Sequence, residues 1–270
     1  MNSIEYKMSE YLSILKNECG VFEIKAELES EASRLEELMR LKDITSKLDL
    51  PIILKIGGPE AITDIYVALS IGTKGIVAPM TETPFAVSKF IGAVKKYIPE
   101  DNLRDIETAI NVETITTVNN LDQILLIDGI NQIKSMTVGR VDLAGSMSLN
   151  RDKIESEQIT NIVLEALEKI KNKGLKAAVG GAISTDAIPN IERFIDNKLI
   201  DKFETRKVVF SSNIKKEKIR YGILNAVKFE YLWLQSKKRY YGNIKSEDNL
   251  RIEMIENRLL SQGEDIPNLS

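Results

Sequence analysis

Two acidic residues, Glu113 and Asp142, each follow a short apolar run rich in β-formers, in AINVETIT and TVGRVDLA. Neighbouring strands of a sheet lie about 4.8 Å apart, so carboxylates at the ends of successive strands can share one cation. Carboxylate oxygens that leave positions open for water and an oxygen-rich substrate suit Mg²⁺ or Mn²⁺. Two carboxylates alone do not define a metal site, so the residues around them must decide.

Many other polar residues and glycines follow apolar runs. They are Lys25 and Glu27, Lys55 with Gly57 and Gly58, Glu82, Arg140, Gly180 with Gly181, and Glu204 with Arg206 and Lys207. A charge at the end of a buried strand is costly unless it is paired or binds a ligand, so this set predicts a ligand site. Glycines there let backbone N–H groups approach an anion, although they also simply turn loops.

The chain has no histidine and a single cysteine, Cys19. Catalysis by Ser-His-Asp or Cys-His arrangements and His-ligated zinc or iron sites are therefore excluded. Acid–base chemistry must come from Asp, Glu, Lys, Arg, Tyr or bound water. Cys19 cannot form an intramolecular disulfide, and we expect it to be a small buried hydrophobic residue at the start of a strand.

The 270 residues carry a formal net charge of −3, which gives no general attraction to nucleic acid or to an anionic membrane. The N-terminal segment is too polar for a signal peptide, and no apolar run approaches the roughly 18 residues of a membrane span. We expect a cytoplasmic protein with no nucleic-acid or membrane partner.

Short apolar runs alternate with amphipathic segments along the first 210 residues or so. The predicted strands are Gly20–Lys25, Pro51–Ile56, Lys74–Pro79, Asp105–Val112, Ile133–Gly139, Leu175–Val179 and Phe203–Phe210. The predicted helices are Glu31–Leu48, Ala61–Ser70, Phe85–Tyr97, Asn119–Ile127, Ser156–Lys173 and Ala187–Lys198. This alternation predicts an α/β fold, a (β/α)8-type TIM barrel, with active-site residues at the carboxyl ends of the strands. Only seven strands are recognised: the eighth lies in the N-terminal segment, or the barrel is incomplete. An open doubly wound sheet is the competing fold.

The pattern changes near Asn213, so we predict a barrel domain over 1–212 and a helical extension over 213–270. One helix would carry an apolar stripe, and a second, Glu247–Leu260, would follow Gly242. The stripe consists of Ile219, Ile223, Val227, Tyr231 and Leu234, with Trp233, Tyr240 and Tyr241 beside it. Such a face predicts homo-oligomerisation and a role in completing the site, or else packing against the chain's own barrel.

At INVETITTVNNLDQIL, SMTVGRVDLAGSMSL and GIVAPMTET, the chain resembles the HpcH/HpaI aldolase and citrate lyase β-subunit family of the phosphoenolpyruvate/pyruvate barrels. The resemblance spans roughly residues 20–185, and the segments KIGGPEA and FETRKVVF suggest a subgroup. It implies a divalent metal on Glu113 and Asp142 that stabilises the enolate of a pyruvate-like substrate. The family often has a catalytic histidine where this chain has Glu27 or Glu29, and an arginine where it has Lys55.

We therefore predict a metal-dependent carbon–carbon lyase or aldolase acting on a 2-oxo acid or related carboxylate. The predicted catalytic residues are Glu27, Lys55 and Arg140, with Glu27 or a metal-bound hydroxide as base. Lys55 and Arg140 would hold the anionic end of the substrate. The other predicted substrate-binding residues are Lys25, Gly57, Gly58, Glu82 and Arg206. Two alternatives are a Schiff-base aldolase using Lys25 or Lys55, and a barrel that only binds a 2-oxo acid or phosphorylated ligand.

Overall fold

The structure is a computed structural model that describes residues 1–262 and 265–266. Eight strands close into a barrel in which each strand pairs with its neighbours in chain order, and the barrel is surrounded by helices. The predicted TIM-type barrel is confirmed, and the alternative of an open sheet is wrong. Within the described residues, no helix has the length and apolar content needed to cross a membrane.

The helices and strands follow the predicted alternation. The strands are β1 (Val21–Glu27), β2 (Ile52–Lys55), β3 (Gly75–Ala78), β4 (Glu107–Val112), β5 (Ser135–Gly139), β6 (Lys176–Gly180), β7 (Lys202–Glu204) and β8 (Val208–Ser211). The helices are α1 (Ser3–Cys19), α2 (Leu35–Ser46), α3 (Ile62–Ser70), α4 (Pro84–Tyr97), α5 (Glu100–Asp105), α6 (Ile115–Ile124), α7 (Arg140–Ser146), α8 (Glu157–Asn172), α9 (Ile188–Asp196) and α10 (Lys216–Ser261). The strands β1 to β7 run parallel, and almost every residue in them is buried, as nearly continuous apolar runs indicate.

The eighth strand comes from the last predicted strand, Phe203–Phe210, which is in fact a hairpin. β7 and β8 pair antiparallel, with Phe203 opposite Phe210 and their rings stacked at a centroid distance of 4.8 Å. The polar residues between the two strands form the turn, where Thr205 N–H donates to Val208 O at 3.0 Å. β8 then pairs antiparallel with β1 and closes the barrel. The N-terminal segment, where the eighth strand was sought, is helix α1.

Helices α1 and α10 pack on each other beside the barrel, where α1 also contacts α2 and β1 and α10 also contacts α9. The inner face of α1 buries Met8, Leu12, Leu15 and Cys19. Gly222 lies at the crossing, where a Cβ would come within 3.2 Å of Cys19 Cβ and 2.8 Å of Phe210 Cε1. The lack of a side chain therefore allows α10 to approach both α1 and β8. Cys19 is buried as expected, at the end of α1 just before β1.

The C-terminal segment is one helix of 46 residues, and the predicted break at Gly242 is wrong. A glycine inside a helix costs only about 1 kcal/mol, which good helix formers on both sides can outweigh. The predicted stripe also leaves the buried face: Ile219 and Ile223 are buried, whereas Val227, Tyr231 and Leu234 are exposed. Steps of four residues advance 400° and so rotate off a face by about 40° each. The buried face is continued instead by Ala226, Phe229 and Trp233.

A group of charged residues lies at the amino ends of the strands, at the end of the barrel opposite the predicted site. Lys202 Nζ lies 2.9 Å from Glu107 Oε1 and 3.4 Å from Glu23 Oε2, and Ser135 Oγ donates to Glu107 at 2.7 Å. Burial alone would raise the pKa of Glu107, but Lys202 and the Ser135 hydroxyl lower it to about 2. At this end of a barrel such a network serves stability.

Candidate active site

A cavity of about 850 Å³ opens at the carboxyl ends of the strands, where a TIM barrel places its active site. Six of the predicted site residues line it: Lys25, Glu27, Lys55, Glu113, Asp142 and Arg206. The cavity is much larger than a pyruvate unit needs and is of a size that holds a drug-sized ligand. Its wall also includes two residues of α10, Val227 and Glu230, so the C-terminal helix of the same chain contributes to the site.

Glu113 follows β4 directly and is 2% exposed. Its Oε1 accepts from Met80 N–H at 3.0 Å, and its Oε2 accepts from Asn111 Nδ2 at 2.9 Å. Met80 has a left-handed φ of 52°, a strained conformation in which its N–H reaches the carboxylate. Burial raises the pKa of Glu113, although Lys55 and the two N–H donors oppose this and nearby Asp142 adds to it. These contacts hold the carboxylate in one orientation facing the cavity.

Two glycines make room for acidic side chains at the ends of β5 and β6, where Gly139 pairs with Gly180. A Cβ on Gly139 would lie 2.8 Å from Glu113 Cβ, and one on Gly180 would lie 2.9 Å from Glu204 Cγ. Neither position tolerates a side chain without displacing a cavity carboxylate. The sequence predicted the importance of Gly180 from its place after a strand, but not the role of Gly139.

Asp142 lies in the first turn of α7 and lines the same cavity as Glu113. It is exposed and, among the described residues, makes no hydrogen bond or ion pair through its carboxylate. Asn111 Oδ1 is buried beside Glu113 and accepts no hydrogen bond from any described residue. These hard oxygen donors fit a divalent cation held by Glu113 and Asp142. The described residues contain no group of three or more Asp, Glu, Cys or His that could hold a metal, so water and substrate would complete its coordination.

Each lysine of the cavity wall is held between two carboxylates. Lys25 Nζ lies 2.7 Å from Glu204 Oε1 and 3.2 Å from Glu27 Oε1. Lys55 Nζ lies 3.1 Å from Glu29 Oε2 and 3.5 Å from Glu113 Oε2. Burial alone would lower both pKa values, but the neighbouring carboxylates raise them, so both side chains are ammonium ions. A charged ammonium is a poor nucleophile, which counts against a Schiff base on either lysine.

Glu27 is held as a carboxylate. Lys25, Arg206 with its Nη1 at 3.8 Å, and the Ser30 hydroxyl all contact it. Burial would raise its pKa, but attraction to Lys25 and the Ser30 hydrogen bond lower it to about 2. A general base works best when its pKa lies near the working pH. These surroundings therefore suit Glu27 to electrostatic and positioning roles more than to proton abstraction.

Arg140 lies outside the cavity lining, with its guanidinium used by protein groups. It is 2% exposed, and its Nη1 contacts both carboxylate oxygens of Glu155 at 2.8 and 2.9 Å. Its Nη2 donates to Gly181 O at 2.8 Å and its Nε to Gly180 O at 3.3 Å. Arg140 and Asp142 do not extend the strand before them, because β5 ends at Gly139 and Arg140 begins α7. Four of the five N–H groups of Arg140 are thus used by described protein groups, and the side chain is nearly fully buried outside the lining, so it is poorly placed to hold a substrate.

Three further predicted residues also lie outside the cavity lining. Gly57 N–H donates to Asp64 Oδ2 at 2.6 Å, so it is not free to bind an anion, and Gly58 lies beside it. Glu82 accepts from Thr114 Oγ1 at 2.7 Å and joins the segment after β3 to the start of α6. These contacts stabilise loops at the rim.

Sequence reasoning missed several residues of the wall. Asn111 precedes Glu113 by two positions, and that spacing could have placed both on one face of β4. Glu204 was recognised at a strand end but given no role. Glu155 and Glu230 lie in a loop and on α10, where only the three-dimensional fold brings them to the cavity, whereas Glu29 was named only as an alternative to Glu27.

Comparison with known proteins fixes the family. The sequence profile described as HpcH/HpaI aldolase/citrate lyase matches residues 53–193, more than half of the chain. The chain belongs to the HpcH/HpaI aldolase/citrate lyase family. This match includes Glu113, Asp142, Lys55 and the Gly180-Gly181 pair, and it ends before the β7–β8 hairpin and α10. No curated protein matches the sequence.

Solved structures show that the fold of this family is shared beyond the matched region. The citrate synthase SbnG superposes with a TM-score of 0.60 at 17% identity, covering 88% of this chain and 90% of that one. A citrate lyase from Burkholderia xenovorans LB400 gives a TM-score of 0.60 at 11% identity, covering 99% and 92%. An HpcH/HpaI aldolase from Desulfitobacterium hafniense DCB-2 gives 0.58 at 12% identity, covering 74% and 82%. At these identities the likeness concerns the fold alone.

Proposed function

We propose that this member of the aldolase/citrate lyase family is a divalent-metal-dependent carbon–carbon lyase that cleaves or forms a bond next to a 2-oxo acid. The observation that carries the proposal is the pair Glu113 and Asp142 in one cavity, with Glu113 oriented by Met80, Asn111 and Gly139. This arrangement offers two carboxylates to a Mg²⁺ or Mn²⁺ ion and leaves the rest of its coordination for substrate and water.

The chain's own side chains supply the remaining functions. When bound, the ion would act as a Lewis acid toward the ketone and carboxylate oxygens of the substrate. Lys55, beside Glu113, would add fixed positive charge to the cavity when an enolate forms. Lys25, between Glu27 on β1 and Glu204 on β7, would do the same on that side. Arg140 and Glu155 clamp the start of α7 to the Gly180-Gly181 loop and so position Asp142.

The balance of charge in the cavity supports a metal. Lys25, Lys55 and Arg206 are each already contacted by two carboxylates, and among the described lining residues only the exposed Arg151 is a cation without an ion pair, so the buried part of the lining has little free positive charge for an anionic substrate. An ion on Glu113 and Asp142 would supply that charge. Substrate binding and metal binding are therefore expected to be interdependent.

Turnover with and without a chelator tests the proposal. Purified full-length protein would be incubated with a panel of 4-hydroxy-2-oxo acids and malyl-type carboxylates, and release of pyruvate or another 2-oxo acid would be measured. We expect cleavage of at least one compound, its loss with EDTA and its recovery with Mg²⁺ or Mn²⁺. Undiminished cleavage in EDTA, or covalent trapping of substrate by borohydride, would favour the Schiff-base route instead.

The distal part of α10 is proposed to pair with a second copy of the chain. The whole of α10 has 46 residues and is about 70 Å long, and its distal part, beyond Tyr240, is almost wholly exposed. The large apolar side chains exposed there are Ile244, Leu250, Ile252, Met254, Ile255 and Leu260. The predicted extension continues to residue 270, but residues 263–264 and 267–270 lie outside the described part.

Light scattering tests the pairing. We expect full-length protein to be an oligomer at micromolar concentration, and Leu250→Glu/Ile255→Glu to be a folded monomer, because charges placed on both residues oppose burial. A truncation at Asn213 would be a poor test, since it removes Ile223, Phe229 and Trp233 from the core. A monomeric full-length protein would exclude the proposed pairing.

A further inference from the structure

Glu230 differs from every other carboxylate of the cavity wall. It is half-buried on α10, one helical turn after Val227, and both residues line the cavity. Among the described residues, its carboxylate has no hydrogen-bond or ion-pair partner. The buried face of α10, which carries Ala226, Phe229 and Trp233, fixes the helix against the rest of the chain. Glu230 is therefore presented to the cavity by a rigid element.

The other carboxylates of the wall are each engaged or solvated. Glu27 and Glu204 hold Lys25, Glu29 holds Lys55, and Glu155 holds Arg140. Glu113 and Asp142 form the proposed metal site. The remaining two, Asp152 and Asp186, are exposed at the rim. Glu230 is thus the one carboxylate of the described lining that is half-buried, lies outside the proposed metal site and is bonded to no described protein group.

We infer that Glu230 is the general acid–base of the proposed lyase, supplied by the C-terminal helix in place of the histidine that this chain lacks. The inference rests on the proposed function and adds to it the residue that moves the proton. The match to the family profile ends at residue 193, so it does not include this helix.

The proton transfers balance without any further reactant. In cleavage, the Glu230 carboxylate takes the proton of the substrate hydroxyl, and the O–H electron pair becomes the new C=O bond of the aldehyde or ketone product. The carbon–carbon bond breaks, and its electron pair moves into the enolate of the 2-oxo acid. The carboxylic acid of Glu230 then protonates the enolate carbon. Glu230 ends as it began, and in the reverse direction it removes a proton from the methyl group of pyruvate.

The charges around Glu230 suit this task. Burial raises its pKa, Arg206 and Lys207 oppose the rise, and Glu31 and Glu27 add to it. Arg206 and Lys207 are themselves engaged by Glu31, so neither forms an ion pair with Glu230. A base whose pKa is closer to neutrality is better matched to proton transfer than the low-pKa carboxylate of Glu27.

Exchange of the methyl protons of pyruvate in D₂O tests the inference, because it needs no knowledge of the second substrate. Full-length wild type, Glu230→Gln and the control Glu253→Gln would be compared by NMR with pyruvate and Mg²⁺ over a range of pH. Glu253 is an exposed residue on the distal part of α10. We expect Glu230→Gln to slow exchange about 100-fold or more, as loss of a general base does. Pyruvate affinity should change little, and Glu253→Gln should match wild type.

The outcomes separate this inference from the proposed function. Wild-type exchange should decline at low pH as Glu230 is protonated, and Glu230→Gln should lack that decline. If wild type exchanges pyruvate protons but Glu230→Gln does so equally fast, the base lies elsewhere while the proposed function stands. If Glu27→Gln instead removes the acidic limb, Glu27 is the base. If wild type catalyses no exchange, both the proposed function and the role of Glu230 are refuted.

Discussion

Glu113→Gln and Asp142→Asn are each expected to weaken binding of Mg²⁺ or Mn²⁺ by at least about 100-fold and to abolish turnover. Loss of groups that only orient metal ligands costs about 10–100-fold in affinity, and loss of a ligand should cost at least as much. Both replacements keep side-chain size but remove the negative charge. For Glu113, the amide would also place a donor where Met80 N–H and Asn111 Nδ2 now donate. Calorimetry with the metal alone measures the change.

Asp128→Asn is the matched control for these variants. Asp128 is an exposed carboxylate in the segment between α6 and β5, at the amino end of the strands and away from the cavity. It should bind metal and turn over like wild type. Unchanged metal affinity in both cavity variants would show that the ion, if any, binds elsewhere.

Arg140→Ala is expected to destabilise the fold, although by less than the about 3–5 kcal/mol that removing one partner of a fully buried ion pair costs, because the side chain of Glu155 is 28% exposed. The substitution leaves Glu155 without its cation and two glycine carbonyls without donors. Glu155→Ala should also destabilise the protein, because it leaves a guanidinium buried with no carboxylate beside it. Burial lowers the pKa of Arg140, and the Glu155 carboxylate opposes that lowering. Urea unfolding monitored by Trp233 fluorescence measures both losses.

The pair of variants distinguishes a positioning role from substrate binding. If Arg140 positions α7 and the Gly180-Gly181 loop, Glu155→Ala and Arg140→Ala should lose stability and metal affinity together. If Arg140 binds substrate, Glu155→Ala should leave stability near wild type and lower KM by freeing the guanidinium. That second result would restore the role assigned to Arg140 from the sequence.

The barrel could be predicted because its strands are short apolar runs separated by amphipathic helices, and few folds have this pattern. The β7–β8 hairpin could not, because FETRKVVF is as long as one strand and its turn depends on pairing with β1. The continuity of α10 through Gly242 was missed because the glycine was interpreted as a helix end, whereas a glycine inside a helix costs little free energy. α1 was missed because its apolar residues, Met8, Leu12, Leu15 and Cys19, were considered only as a possible strand or signal segment.

At the site, Lys55 at the end of β2 and Glu113 directly after β4 both line the cavity, although their roles stay predictions. Sequence reasoning did not anticipate hydrogen-bond partners that lie in other segments of the chain. Arg140 follows a strand but turns to Glu155 and the end of β6, and Gly57 gives its N–H to Asp64. Glu230 could not be found at all from position, because nothing in a helical sequence indicates which exposed residue will face the mouth of a barrel.

Enolate chemistry at a metal held by Glu113 and Asp142 is the central proposal for this protein. The most direct measurement is exchange of pyruvate methyl protons in D₂O by the full-length protein, followed by NMR with added Mg²⁺ or Mn²⁺, then with EDTA. We expect exchange that requires the metal, is lost in Glu113→Gln and Asp142→Asn, and persists in Asp128→Asn. Exchange that continues in EDTA at the wild-type rate, or persists in both cavity variants, would contradict this proposal.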